Sequence, residues 1–417
     1  MLKLVFSVLL SLQSSALHAR TQVEPRLIVR VASFNVYLNR QSAGQLAVEL
    51  ADADDALEED GSDRQVQAVA EIIQRVRPDV ILLNEFDFDA DGSALKSFQQ
   101  NFLGVSQNQQ LPIVYPHTFQ APSNTGMDSG LDFDGDGKSG GPGDAFGFGF
   151  FPGQYGMAVL SKYPIVSSDI RTFQKFLWRD MPGALLPDNP ETPEAADFYT
   201  SEQLDVFRLS SKSHWDVPIQ IGPSRLHVLA AHPTPPVFDG PEDRNGARNH
   251  DEIRLWADYV GPQKAAEYIT DDQGHAGGLG LQRFVVLGDY NADPVDGDSR
   301  RRAIDQLLAH AAINASWIPA SDGAAEDAKI EGMANATHTG DARFDTADLN
   351  PNGPGNLRID YVLPSHFGLT PVDGGVFWPA RQDPARYLVG DGFPVVSSDH
   401  RLVWLDLQIS PTDQLEP

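Results

Sequence analysis

The sequence predicts an α/β chain in which two β-sheets pack face to face with helices on the outside. Three observations carry that expectation. Short β-branched and apolar runs recur from Leu27 to Leu407. Fewer runs at helical spacing lie between them, which favours packed sheets over a barrel. Several of the apolar runs stop at a polar or charged residue, and in α/β sheets strand ends are where ligands bind.

Taken in order, residues 1–20 read MLKLVFSVLLSLQSSALHAR, with one lysine, an apolar stretch from Leu4 to Leu12 and small residues suited to cleavage after Ala16 or Ala19. That layout is a secretory signal peptide, assigned here to residues 1–19, and it implies export to a periplasm or beyond the cell. Residues 26–410 are then assigned to one domain. LIVRVA, Leu27 to Ala32, alternates as a strand ending near Asn35. After the acidic stretch ADADDALEED, Ser62 and Gln65 form a capping box before Val66, Val69, Ala70, Ile73 and Val76, which share one helical face. Pro78 stops that helix. DVILL, Asp79 to Leu83, is a short buried strand ending in Asn84-Glu85. Strand, helix, strand predicts a right-handed parallel crossover, which would bring Asn35 and Glu85 to one sheet edge.

Loop insertions are expected around 86–153 and 181–200, where Gly, Asp, Pro and Glu are dense. GMAVL, Gly156 to Leu160, is a strand turning at Lys162-Tyr163-Pro164, and LHVLAA, Leu226 to Ala231, is a strand ending at His232. A helix is predicted over Asp251–Val260, a strand over Phe284–Leu287, a helix over Ile304–Ala312, and strands over Ile359–Leu363 and Leu402–Leu407. In VVLGDYNADP, Asp289 and Asn291 would share one face of an extended chain, as i and i+2 do. Asp360 lies inside an apolar strand and needs a partner, for which His400 is the nearest candidate in sequence.

Composition narrows the function classes. With 41% apolar residues the chain can bury one large core. It has no cysteine, which excludes disulfides, thiolate metal sites and a thiol nucleophile. A formal charge of −27 opposes broad electrostatic binding of nucleic acid, though a local metal-lined cleft is compatible with it. Beyond the N-terminus no run approaches the ~18 apolar residues of a membrane span. The mature protein is expected to be monomeric and without stable membrane insertion.

Two tracts, Asp87-Phe88-Asp89-Ala90-Asp91-Gly92 and Asp132-Phe133-Asp134-Gly135-Asp136-Gly137, open like calcium loops but carry Phe98 and Gly143 where an EF-hand has its twelfth-position glutamate. Structural Ca²⁺ sites and plain acidic turns both satisfy the pattern. His214, Arg244, Arg248 and Arg254 are candidate substrate contacts that a structural role explains as well.

The polar strand ends, taken together, resemble the endonuclease/exonuclease/phosphatase superfamily of metal-dependent phosphoester hydrolases. VASFNVYL, RPDVILLNEFD, GMAVLSKYPI, LAAHPTPP, LGDYNADP, LRIDYVLPS and SSDHRLV resemble its motifs in order; one departure is Asn84, where the family more often has Gln. The resemblance implies a DNase I-like four-layer sandwich of two mixed sheets flanked by helices. It implies Asn35, Glu85 and Asp399 as ligands of Mg²⁺ or Mn²⁺, with His232, Asp289, Asn291, Asp360 and His400 as catalytic residues. Asp289 would orient and deprotonate water, Asn291 and His232 would contact phosphate, and His400, held by Asp360, would act as a cationic ligand or acid. The substrate would be a nucleic acid or a small phosphate ester. A catalytically silent, calcium-stabilised extracellular binding module is the alternative, against which all the motif residues are present.

Overall fold

A computed structural model of the chain describes residues 27–52, 62–392 and 394–411. The signal-peptide assignment and the Ser62 half of the capping box lie outside the described residues and side chains. The Gln65 amide instead donates to the carbonyls of Tyr37 and Ser397.

The first sheet contains β1 (Leu27–Leu38), β2 (Val80–Phe86), β3 (His117–Phe119) and β4 (Met157–Ser161). The second is built from β5 (Arg171–Thr172), β6 (His214–Ile221), β7 (Ser224–Ala231), β8 (Phe284–Asp289) and β9 (Asp360–Pro364). The chain then returns to the first sheet through β10 (Leu369–Val376) and β11 (Val403–Ile409). Strand orders are β10-β11-β1-β2-β4-β3 and β5-β6-β7-β8-β9. Both sheets are mixed: β1 and β2 run parallel, as do β7 and β8, and their other neighbours are antiparallel.

Helices α1 (Gln45–Ala51), α2 (Ser62–Val76) and α3 (Ser93–Ser97) precede β3; α4 (Ser201–Leu204), α5 (Arg244–Tyr259), α6 (Gln263–Ala266), α7 (Asp305–Leu308) and α8 (Asp322–Glu331) follow β5. In α2 the apolar stripe Val66, Val69, Ile73 and Val76 is buried against Phe34, Ile81 and Leu83 on the outer face of the first sheet. Arg77, with φ +57, turns the chain out of the helix before Pro78. On the outer face of the second sheet, Ile253 and Trp256 of α5 pack with Leu229, Val286 and Tyr361. Val29, Val31, Val80, Val217, Val228, Val285, Val362 and Leu405 fill the space between the sheets. The four-layer sandwich is therefore present.

Alternation along the strands now places chemistry. Val29 and Val31 face the inter-sheet core, so Asn35, two pleats on, faces the same way. The same count from Val228 and Ala230 puts His232 inward, and from Val285 and Leu287 it puts Asp289 inward. Asp360 precedes inward-facing Val362. Parallel neighbours end on one edge, so these residues gather at one end of the apolar core, between the sheets.

Boundaries differ where tertiary packing overrides local pattern. Helix α5 starts at Arg244, earlier than expected, because Arg248, Asn249 and Glu252 are buried polar residues that interrupt the apolar spacing. The helix expected over 304–312 is only α7, Asp305–Leu308. β6, β10 and α8 are additional elements; β6 carries Asp216 and Pro218, which mask its alternation.

Candidate active site

Asp289, at the end of β8 and 1% exposed, is the centre of the arrangement. Its Oδ2 accepts a hydrogen bond from Asn35 Nδ2 at 3.1 Å and lies 3.3 Å from His232 Nε2 and 3.6 Å from His400 Nε2. Its Oδ1 accepts the Asn291 backbone N–H at 2.9 Å. Asn291 has φ +51, so the strand has already turned, and the expected extended i, i+2 pair is replaced by a tight side-chain-to-backbone turn. Both side chains still line one cavity, and one Asn291 amide N–H reaches the Pro233 carbonyl. Gly288, with φ +152, permits the close approach of β7 here: a Cβ would overlap the Ala231 carbonyl oxygen.

His400 joins the two ends of this system. Its Nδ1 is 2.8 Å from Asp360 Oδ2, the partner expected from sequence. Thr346 Oγ1 donates to the same oxygen at 2.9 Å and receives the Asp360 N–H. Ser398 Oγ accepts the His400 N–H and donates to the Asn35 carbonyl, tying the last motif to the first.

The electrostatics separate the two histidines. Burial drives the His232 pKa down to about 4, with Lys212 assisting, so this imidazole is neutral at pH 7. Burial also works against charge on His400, but Asp360 and Asp289 outweigh it and hold its pKa well above the ordinary 6.5. Burial likewise opposes ionisation of Asp289, yet His400 and His232 keep its pKa below the usual carboxylate range. The site thus pairs a stable Asp289 carboxylate with a His400 imidazolium and a neutral His232.

Glu85 sits at the end of β2 with φ +55. This left-handed residue breaks the pleat, and the carboxylate lines the same cavity as Asp289. Asn39 Nδ2 donates to its Oε2 at 2.8 Å. Burial, then Asp399, push its pKa up to about 7. Oxygens of Glu85 and Asp289 and a nitrogen of His232 lie within 4.8 Å of one another. Asp399 has one buried carboxylate oxygen, Oδ1, without a hydrogen-bond partner among the described residues. Glu85 and Asp399 offer oxygen donors close enough to interact electrostatically, an arrangement that suits a hard divalent cation. The Asn35 Oδ1 that would join them accepts the Tyr37 N–H at 3.2 Å.

The remaining candidates are engaged by other groups of the protein. His214 is fully buried between Ser210 Oγ and the Glu252 carbonyl. Arg254 pairs with Asp258 one turn on. Arg248 lines the cavity, but its guanidinium is engaged by the carbonyls of Leu209, Phe146 and Arg208. Arg244 also lines it and pairs with Glu242. In the first acidic tract the carboxylates serve separate local roles. Asp87 accepts the N–H groups of Arg40 and Tyr155, Asp89 accepts Ser93 Oγ–H and Ala94 N–H, and Asp91 accepts Ser93 N–H. In the second tract, oxygens of Asp132, Asp134 and Asp136 come within 4.8 Å of one another.

Two site residues escaped the sequence reading. Lys212, 7% exposed, lines the cavity with Glu85, Asp289 and His400, and among the described residues its ammonium has no hydrogen-bond or ion-pair partner in bonding distance. Burial lowers its pKa. Glu252 on α5, 1% exposed, accepts the N–H groups of Ser211 and Thr234 at 2.6 and 2.7 Å. It thereby fixes the segments carrying Lys212 and His232. A charged residue on the buried stripe with Ile253 and Trp256 was the available signal for Glu252; an isolated lysine among serines gave none for Lys212.

A family model described as endonuclease/exonuclease/phosphatase family matches residues 32–400. No curated protein matches the sequence. Among solved structures, an endonuclease/exonuclease/phosphatase from Beutenbergia cavernae is similar at 18% identity and TM-score 0.46, covering 93% of this chain and 72% of its own. Sphingomyelinase C from Streptomyces griseocarneus is similar at 15% identity and TM-score 0.43, covering 91% and 97%. The human Nocturnin catalytic domain is similar at 13% identity and TM-score 0.44, covering 93% and 97%. None of these scores reaches 0.5, so none bears on substrate.

Proposed function

The chain belongs to the endonuclease/exonuclease/phosphatase family, and from that premise we propose that it is an exported, divalent-metal-dependent hydrolase in which water displaces the alcohol of a phosphoester in line. The observation that carries this reading is the Asp289 carboxylate held between Asn35, His232 and His400 beside Glu85. Glu85, Asn35 and Asp399 would hold the cation. When bound, it polarises a phosphoryl oxygen and stabilises the departing oxyanion.

The chain's own groups divide the remaining work. Asp289 accepts a hydrogen bond from the attacking water and aligns it. A carboxylate held below the usual range is a weak base, so Asp289 first aligns the water and takes its proton only as the new P–O bond forms, while the departing oxygen gains a proton from His400 Nε2. The His400 imidazolium, fixed by Asp360, neutralises charge building on the phosphoryl oxygens and can pass a proton from Nε2. Neutral His232 and the free N–H of the Asn291 amide donate to a phosphate oxygen. Lys212, whose ammonium has no partner in bonding distance among the described residues, supplies a second cation.

The −27 charge favours a small phosphodiester or phosphomonoester over a long duplex. The test is the mature protein beside His400→Ala and Glu85→Ala, assayed with Mg²⁺, Mn²⁺ or Ca²⁺ on plasmid DNA, bis-p-nitrophenyl phosphate and p-nitrophenyl phosphate. Metal-dependent turnover lost in both variants supports the hydrolase, and the fastest substrate chooses between nuclease, diesterase and phosphatase. A folded protein inactive on all three with every metal would refute it.

Export is supported by the N-terminal apolar segment followed by small residues, and cell fractionation tests it. Calcium is proposed only for Asp132, Asp134 and Asp136. Calorimetric titration with Asp134→Asn beside the parent chain tests that assignment, and equal heats from both would remove it.

A further inference from the structure

The cavity that holds Glu85, Asp289 and His400 has a volume of about 680 Å³, and the reacting groups occupy only its floor. Its mouth is lined by Phe148 and Phe238, which are 56% and 85% exposed. They come from separate loops, one before β4 and one between β7 and α5. Exposed rings of this kind at a concave site mark a binding surface when the backbone holds them in place.

Both are held. Phe238 has φ +67, a conformation a large side chain rarely adopts and that persists only where neighbours enforce it. Asn245 enforces it from both sides: its Nδ2 donates to the Val237 carbonyl and its N–H to Asp239 Oδ2, each at 2.7 Å. Phe148 stands between Gly147 and Gly149. A Cβ on Gly147 would overlap the Ser211 carbonyl, and one on Gly149 would crowd the Gly126 nitrogen, so this backbone packs directly onto its neighbours. Phe150 buttresses Phe148 edge-on, with centroids 5.6 Å apart and planes at 82°, and its own N–H is bound by Gln154 Oε1.

We propose that Phe148 and Phe238 form a clamp for a flat heteroaromatic ring on the ester group that stays on phosphorus, so that preferred substrates are diesters carrying a nucleobase-like ring next to the phosphate. The inference rests on the phosphoester-hydrolase reading. The volume suits a group of that size. Thr234 and Asn245 line the same wall and can meet the polar edge of a ring, which an acyl chain lacks. The net charge of −27 works against docking on an anionic bilayer. Rings stack on aromatic faces without regard to base identity, so the clamp selects for a ring more than for a particular one.

The test compares thymidine 5′-(p-nitrophenyl phosphate) with methyl p-nitrophenyl phosphate, which share a leaving group and differ in the nucleoside. Parent protein, Phe148→Ala, Phe238→Ala and the double variant are assayed for kcat/KM on both. The parent is expected to prefer the thymidine ester roughly tenfold or more, and the double variant to bring the ratio of the two esters to within about threefold. The 5′-(p-nitrophenyl phosphate) of a short oligothymidylate, which keeps the same leaving group, distinguishes sources: faster cleavage than the mononucleotide ester assigns the clamp to a terminal nucleotide of a strand, slower cleavage to a free nucleotide. No preference in the parent, or a ratio unchanged by the double variant, overturns the clamp while leaving the hydrolase intact. If the parent turns over neither ester but cleaves p-nitrophenyl phosphate, the clamp is overturned and the hydrolase stands; if it turns over none of them, the hydrolase reading has failed and the clamp falls with it.

Discussion

Replacing Glu85 with glutamine should make the metal-free protein more stable while removing its response to metal. Glu85 sits beside Asp399, and burial together with that neighbour raises its pKa from 4.5 to about 7. A rise of that size corresponds to about 3 kcal/mol of folding free energy. The side chain is only partly buried, so solvent reduces the cost to about 1–3 kcal/mol. Its sign follows from the raised value. Below pH 4.5 both folded and unfolded chains carry a protonated Glu85 and no penalty exists. Between 4.5 and 7 the unfolded chain ionises first, so the native state loses stability as pH rises, and above 7 the loss is complete. Glutamine has no such titration and keeps an oxygen for the Asn39 amide. Urea unfolding followed by tryptophan fluorescence, in EDTA, should therefore find Glu85→Gln more stable than the parent by about 1–3 kcal/mol at pH 8, narrowing to under about 1 kcal/mol at pH 5. Saturating Mg²⁺ should stabilise the parent by mass action and leave the variant unchanged. Equal stability of the two proteins in EDTA at pH 8, or equal stabilisation of both by Mg²⁺, would refute the reasoning.

Asp360→Asn removes the anion on His400 Nδ1, so the His400 pKa should fall toward the ordinary imidazole range by NMR titration, and turnover should drop about 10²- to 10⁴-fold. The ion pair needs both charges, so its contribution is present between the Asp360 pKa, which burial raises to about 6, and the elevated His400 pKa, and pH-dependent unfolding of the parent and Asp360→Asn would show it. Lys212→Met should raise the melting temperature, because burying a cation is costly, and lower kcat/KM at least roughly tenfold. Gly288→Ala should destabilise the fold by about 2–3 kcal/mol through overlap of its Cβ with the Ala231 carbonyl, measured by urea unfolding.

What could be read in the sequence followed how local the cause was. Strands β1, β2, β4, β7, β8, β9 and β11 are apolar runs bounded by polar or turn residues, and their inner faces follow from the pleat. The Asp360–His400 pair was legible because a carboxylate inside IDYVL needs a partner and His400 was the nearest imidazole in sequence. Asp289 and Asn291 line one cavity without the extended chain expected between them, since the positive φ at Asn291 arises from a turn closed by Asp289 itself. Lys212 and Glu252 could not be assigned because their roles depend on α5 laying Glu252 against Ser211 and Thr234, contacts that span tens of residues. The same holds for Phe148 and Phe238, which are distant in sequence and line one cavity only in the folded chain.

The central claim is metal-dependent hydrolysis at the Asp289 centre. Its most direct test is bis-p-nitrophenyl phosphate turnover by EDTA-treated protein, before and after Mg²⁺ or Mn²⁺ is restored, with Asp289→Asn measured beside it. The account predicts negligible turnover without metal, recovery with it, and a loss of at least about 10²-fold in Asp289→Asn with folding retained. Turnover that persists in EDTA, or an Asp289→Asn variant as active as the parent, would contradict it.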